Sequence, residues 1–320
     1  MISSKKFVYH VSAYLLIFIF IVGHAYAVPD SHVIFKNDAK DALKVSLPVV
    51  DIERGKPLPP LDFLASFLAF PIKLLLWNRH YATHKISPAT EKIISDFVVE
   101  NKLQKVKIRL NQWAPFDEIV RIIKNEEVGL PYRLLAIPTS FITAATGRLL
   151  AGLIFSDYYD PFSNTIHIFS DDIAIALHEA GHAKDFDKQT LKGTYALIRS
   201  FPGVDVTQEL IATQEAFDYL DLHGPVNERI RAPSVLYPAF ATYAGGYMQF
   251  VPFAWIGALA GGHFYGRLRS KYIREEIEAQ QAVKHFVEIQ QGKIGVEQNK
   301  KEMNSVKPML SVKGEFNEKF

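Results

Sequence analysis

The stretch "IALHEAGHAKDF", Ile175 to Phe186, sets His178 and His182 four residues apart with Glu179 beside the first. A helix turns about 100° per residue, so on a helix the two imidazoles share one face and can hold one metal ion from the same side. Glu179 can then reach a water on that ion. Zinc lowers the pKa of such a water towards neutrality, and the carboxylate takes the proton. The resulting hydroxide attacks a polarised carbonyl, and Glu179 can pass the proton to the leaving amine. The chain has no cysteine, so any zinc must be held by His, Glu or Asp.

With 11 histidines in 320 residues, the pattern HExxH arises by accident in about one or two such chains per hundred. The setting favours chemistry over accident. The motif follows a strand-like segment, and Ile173, Ile175 and Leu177 would bury the first turns of its helix. Gly181 costs helix stability and allows a close approach at the metal.

A catalytic zinc needs a third protein ligand and one open position. Downstream, "TQELIATQEAFDYLDL" reads as a helix that stops at Gly224 and Pro225. Glu209 and Glu215 are both candidates on it. Ala212 and Ala216 lie on nearly the same face as Glu209 and would let this helix pack close to the first, which favours Glu209. A donor for the developing oxyanion is also required; His223, Tyr219, Arg231, Tyr158 and Tyr159 are candidates, and the sequence does not choose among them.

"HEAGH" followed by "ELIATQEA" resembles the zincin metallopeptidases of the gluzincin type, over roughly residues 100 to 225. The resemblance implies that His178, His182 and Glu209 bind Zn2+ and that Glu179 is the general base. It also implies that the strand before the motif helix, Thr165, Ile166, His167, Ile168 and Phe169, is a sheet edge that pairs with extended substrate. One departure concerns ligand orientation. Many relatives carry an aspartate four residues after the glutamate; here Thr213 stands there, with Asp185 or Asp218 as substitutes.

The elements that must position these residues are partly legible. "SPATEKIISDFVVENK" and "FDEIVRIIKN" read as helices and "KVKIRL" as a strand. "RLLAGLIFSDYYDPFSNTIHIFSDD" reads as two strands around a turn at Tyr159–Asn164, and Ser170, Asp171 and Asp172 suit the start of the motif helix. His80 and His84, also four apart, have no acid in pattern and read as surface or interface residues.

Residues 1–27 have Lys5 and Lys6, an apolar core from about Ala13 to Val22 and the small-residue pattern Ala25-Tyr26-Ala27, which together read as a signal peptide or N-terminal anchor. Residues 28–77 form a linker and an apolar segment, Leu61–Trp77, broken by Pro71 and Lys73, for which three readings stand open: lying in the membrane interface, covering a core, or crossing. Residues 78–233 make the catalytic domain. From Ala232 to Gly266 there is no Asp, Glu, Lys or Arg, so 234–266 reads as a transmembrane segment, with Gly257 and Gly261 spaced for helix packing. Arg267, Arg269, Lys271 and Arg274 mark its cytoplasmic end, and 267–320 reads as a charged, partly disordered tail. The net charge of +2 excludes a strong polyanion-binding signature, so nucleic acid is not an expected partner.

The expectation is therefore an α+β zincin-like domain with a small sheet, two zinc-binding helices and a C-terminal transmembrane segment. It would be exported to the cell envelope, touch membrane lipid and hydrolyse peptide bonds of a protein or peptide substrate. The alternative is a non-hydrolytic zinc-binding scaffold on the same frame.

Overall fold

Four short segments pair into one sheet: β1 (Asp51–Arg54), β2 (Lys107–Leu110), β3 (Tyr158–Asp160) and β4 (Thr165–Ile168). The order is β1-β2-β4-β3, with β1, β2 and β4 parallel and β3 antiparallel to β4. The computed structural model describes residues 50–153, 157–199, 204–247 and 253–311, with side chains to residue 290. The expected signal peptide, residues 1–27, and the linker up to residue 49 lie outside the described residues.

Register sorts the side chains by face. Ile108 pairs with Ile166, which pairs with Tyr159, and Leu110 pairs with Ile168. These join one hydrophobic core with Ile94 and Phe97 of α3 (Pro88–Glu100) and Leu177 and Ala180 of α6 (Ile173–Asp187). The opposite face carries Arg109, His167 and Tyr158, the last stacked on His167 at 4.3 Å. α4 (Pro115–Lys124) turns Glu118 onto this face, where it meets Arg109, His167 and Ser163 in a buried network. α5 (Leu130–Leu150) covers Tyr158 through Gly147.

Two short apolar helices precede the sheet core, α1 (Pro59–Leu68) and α2 (Phe70–Leu75). After the motif helix come α7 (Lys192–Ile198), α8 (Val204–His223), α9 (Val226–Gly246) and α10 (Ala254–Ser311). Asp172 caps α6 by accepting from the N–H groups of Ala174 (3.0 Å) and Ile175 (3.3 Å). The same carboxylate accepts from Arg231 of α9 at 2.9 and 2.8 Å and from Asn78 at 2.7 Å. One buried side chain therefore fixes the start of the motif helix against two other parts of the chain.

Four expectations are corrected. The chain is not the expected α+β domain: it is mostly helical (70%), with a small mixed four-stranded sheet. The segment 148–150, expected in a strand, closes α5, and the expected tail continues α10 as far as Ser311. The transmembrane segment at 234–266 is not one span. Its residues belong to two antiparallel helices, α9 and α10, with Phe253 in a left-handed conformation (φ 63°) between them. Among the described residues no helix is long and apolar enough to cross a membrane. The uncharged run instead serves helix packing: a Cβ on Gly262 would lie 2.8 Å from the Tyr237 carbonyl oxygen, and one on Gly266 2.5 Å from that of Pro233. Gly257 and Gly261 meet nothing within 4 Å, so they are not the packing glycines.

Burial opposes ionisation of Glu118, but His167, Arg109 and Ser163 outweigh it and hold its pKa at about 2. Glu118→Ala removes a buried partner of Arg109 and should cost about 3 kcal/mol or more in urea unfolding at neutral pH. Because the folded pKa is depressed, this contribution is present above the unfolded value near ~4.3 and fades as pH falls towards ~2. The wild-type and variant stabilities should converge over that window; a gap unchanged by acid would contradict the assignment.

Candidate metal centre

The motif helix presents His178 and His182 on successive turns, and α8 crosses beside it with Glu209. Glu209 Oε2 lies 2.9 Å from His178 Nε2, and Oε1 lies 3.2 Å from His182 Nε2. One donor atom from each of the three lies within 4.8 Å of the others. Two ligand atoms on a tetrahedral zinc, each about 2.05 Å from it, stand about 3.3 Å apart. The donor set suits zinc, and the two Glu209–imidazole separations, 2.9 and 3.2 Å, lie within a few tenths of an ångström of that spacing. Glu215, the rival third ligand, is held away by Lys184 and, at 2.7 Å, Lys188.

The close approach of the two helices comes from three small residues. A Cβ on Gly181 would lie 2.7 Å from the Ala212 carbonyl oxygen and 3.0 Å from its Cα. Ala212 and Ala216 are fully buried against α6. No larger residue at 181 would let α8 bring Glu209 to the imidazoles.

Thr213 occupies the position expected for an orienting aspartate, and its Oγ1 lies 3.2 Å from His178 Nδ1. A hydroxyl can donate or accept. It therefore suits His178 when Nε2–H donates to Glu209, and equally when Nε2 is free to bind metal and Nδ1 carries the proton. The suggested substitutes lie elsewhere. Asp185 bonds the Tyr195 hydroxyl and Gln189, and Asp218 bonds Gln214.

Arg199, at the end of α7, donates to Glu209 Oε1 at 2.7 Å and approaches His182 Nε2 to 3.3 Å. Burial and the neighbouring Arg199 drive the His182 pKa down to about 3, so the ring is neutral at neutral pH. Burial pushes Glu209 up, but His182 and His178 outweigh it and hold it well below the usual carboxylate range. A neutral His182 cannot be the countercharge, so we assign that role to Arg199, and the imidazoles act as hydrogen-bonding partners. Burial, then Glu209 and Asp157, push Glu179 well above the usual carboxylate range, while Arg199 and the Tyr159 N–H, which donates to it, pull the other way. Glu209, with burial and Glu179, pushes the Tyr243 hydroxyl up, so it stays a donor.

His178, Glu179 and Glu209 share a cavity of about 290 Å³ whose remaining wall is mainly apolar, including Ile72, Leu76 and Phe240. Tyr243 lines it too. The five residues expected to bind substrate are not at an edge. Thr165–Ile168 pairs with β2 on one side and β3 on the other and is buried throughout, and the Phe169 N–H is taken by Asp157 at 2.6 Å. The outer strand beside Glu179 is β3.

The expected oxyanion donors are engaged elsewhere. Arg231 is clamped to Asp172, Tyr158 is stacked on His167, and the Tyr159 hydroxyl donates to Asn164. Tyr219 packs on Phe97, and His223 faces Glu100. His84, expected near the surface, is buried with Nδ1 2.9 Å from Asn111 Oδ1. Sequence reasoning missed Arg199 and Tyr243. Arg199 reaches both helices of the candidate site, contacting Glu209 and His182, and no sequence pattern announces a cation there. Tyr243 sat inside the uncharged run and was given to lipid. Comparison of the chain with known protein families, curated proteins and solved structures finds no match.

Two substitutions probe this geometry. Gly181→Ala should push α8 outward, destabilise the chain by about 1–3 kcal/mol in thermal or urea unfolding and weaken zinc affinity, because Glu209 rides on α8. Thr213→Ala should leave the fold intact but weaken zinc affinity by about tenfold in competition with a chelating dye. Unchanged affinity in both would separate these contacts from metal binding.

Proposed function

We propose that the chain is a zinc-dependent hydrolase of peptide bonds, with His178, His182 and Glu209 as metal ligands and Glu179 as general base. The observation that carries this reading is the convergence of three ligand-type side chains from two helices, with Glu179 lining the same cavity. Zinc held there would supply Lewis acidity, lowering the pKa of a water in the open position and polarising a carbonyl. Beside a bound dication Glu179 would ionise, and as a carboxylate it would take the proton from the attacking water and return it to the leaving amine. The Tyr159 N–H fixes one side of its carboxylate. Tyr243 keeps its proton and lines the cavity, so it is the side chain best suited to donate to the developing oxyanion. The mainly apolar wall favours an apolar side chain on the substrate. The secretory pattern of residues 1–27 supports an exported enzyme acting on envelope proteins or peptides.

A second reading is a non-hydrolytic scaffold. Arg199 favours it, because its guanidinium already neutralises Glu209 and crowds His182. The two readings part on Glu179→Gln. Under the first, the variant keeps its metal and its fold but loses turnover of a fluorogenic peptide library by at least ~100-fold. Under the second, wild type and variant are equally inert towards the library while both keep their metal.

A further inference from the structure

The helices that wall the cavity also carry an unusual outer surface. Along α1, α2 and the turn that follows them, Phe63, Phe67, Phe70, Leu74 and Trp77 stand three or four residues apart and are all exposed, from 59% at Phe70 to 77% at Trp77. On α10, Phe264, Leu268 and Tyr272 repeat every four residues and are exposed as well. The two stripes meet at Trp77: the Arg267 guanidinium lies 4.6 Å from its ring centroid, and the His263 ring lies 6.4 Å from it. The one acid of these segments, Asp62 in the first turn of α1, is paired with Arg148. No Asp or Glu occurs between Asp62 and Glu91, or between Glu228 and Glu275. Arg267, Lys271 and Arg274, all exposed, run beside the α10 stripe.

Exposed apolar stripes of this size need an explanation. α1 and α2 are too short to cross a bilayer, and no described helix qualifies. Aromatic and aliphatic side chains with a flanking cationic row suit the boundary between headgroups and acyl chains, where the apolar groups sink and the cations meet phosphate. We propose that α1, α2 and the 264–274 stretch of α10 dock on the surface of an anionic lipid bilayer without spanning it. A protein partner would have to match an apolar face free of unpaired acid with acid of its own; a bilayer of anionic lipid supplies both properties at once. Ile72 and Leu75 of α2 and Trp255 of α10 also line the cavity of His178 and Glu179, so docking would set that cavity close to the membrane. The docking itself does not depend on the metal reading and is tested without it.

The chain has no cysteine, so one can be introduced as a label site without a background. Phe70→Cys reports the proposed face. Lys188→Cys reports the far end of α6, a helix of 15 residues and roughly 22 Å, whose Ile175 end lines the cavity. Each full-length variant would carry an environment-sensitive fluorophore and be mixed with vesicles of phosphatidylcholine, with or without phosphatidylglycerol, some containing nitroxide-labelled lipid. The expected result is a blue shift and nitroxide quenching at position 70 on phosphatidylglycerol vesicles, with neither at position 188. Arg267→Ala, Lys271→Ala and Arg274→Ala should each lower vesicle partition about fivefold. Three results would overturn the proposal. The chain could bind vesicles while position 70 stays in water, showing attachment through another segment only. Position 70 could be shielded without vesicles, with a concentration-dependent doubling of mass, showing a second copy on this face. It could be shielded without vesicles at all concentrations, showing cover by the chain's own residues outside the described structure.

Discussion

The contact between Gly181 and Ala212 is the constraint on which the candidate site depends. The motif helix can supply two imidazoles and a carboxylate by periodicity alone, but a third ligand must come from elsewhere. It arrives only because α8 lies against α6 with almost nothing between the backbones. Glu209 and Thr213 sit on either side of Ala212, so the same approach delivers both the carboxylate and the hydroxyl that faces His178. Asp172 sets the other end of α6 by capping it and gripping Arg231. Cap and crossing together fix the helix at two points along its length.

Electrostatics then shapes what the site can do. Three carboxylates, Glu179, Glu209 and Asp157, converge near two imidazoles in a buried space, and Arg199 is the cation that answers them. Burial opposes the charge on Arg199, but Glu209 and Glu179 outweigh it and keep the guanidinium charged. A divalent ion would do the same work more strongly, since it carries twice the charge. The site thus suits positive charge in either case, and a metal ion bound there would compete with Arg199 for the same carboxylate oxygen.

What the sequence made legible was local. The pairing of His178 with His182 follows from helical periodicity, and the choice of Glu209 over Glu215 follows from Ala212 and Ala216. What stayed hidden was non-local. β1 is four residues in a mixed segment, too short to show alternation, and joins the sheet only through β2. The burial of Thr165–Phe169 depends on strand order, which places β3 outside β4, and no residue in β4 encodes that. The 232–266 run lacks charge for two reasons that look alike in a sequence: lipid and tight helix packing. Gly262 and Gly266, set against Tyr237 and Pro233, place part of the run in helix packing. Thr213 stands where an orienting aspartate was expected, and its hydroxyl lies 3.2 Å from His178 Nδ1, able to pair with either tautomer.

The most direct test of the account is the metal content of the purified full-length chain, measured by elemental mass spectrometry beside His182→Ala, with circular dichroism to show that both are folded. The account predicts about one zinc per chain in the wild type and its loss in the variant. A folded, helical wild-type chain that takes up no zinc even when zinc is supplied would contradict it, and would leave Arg199 as the permanent cation of the site.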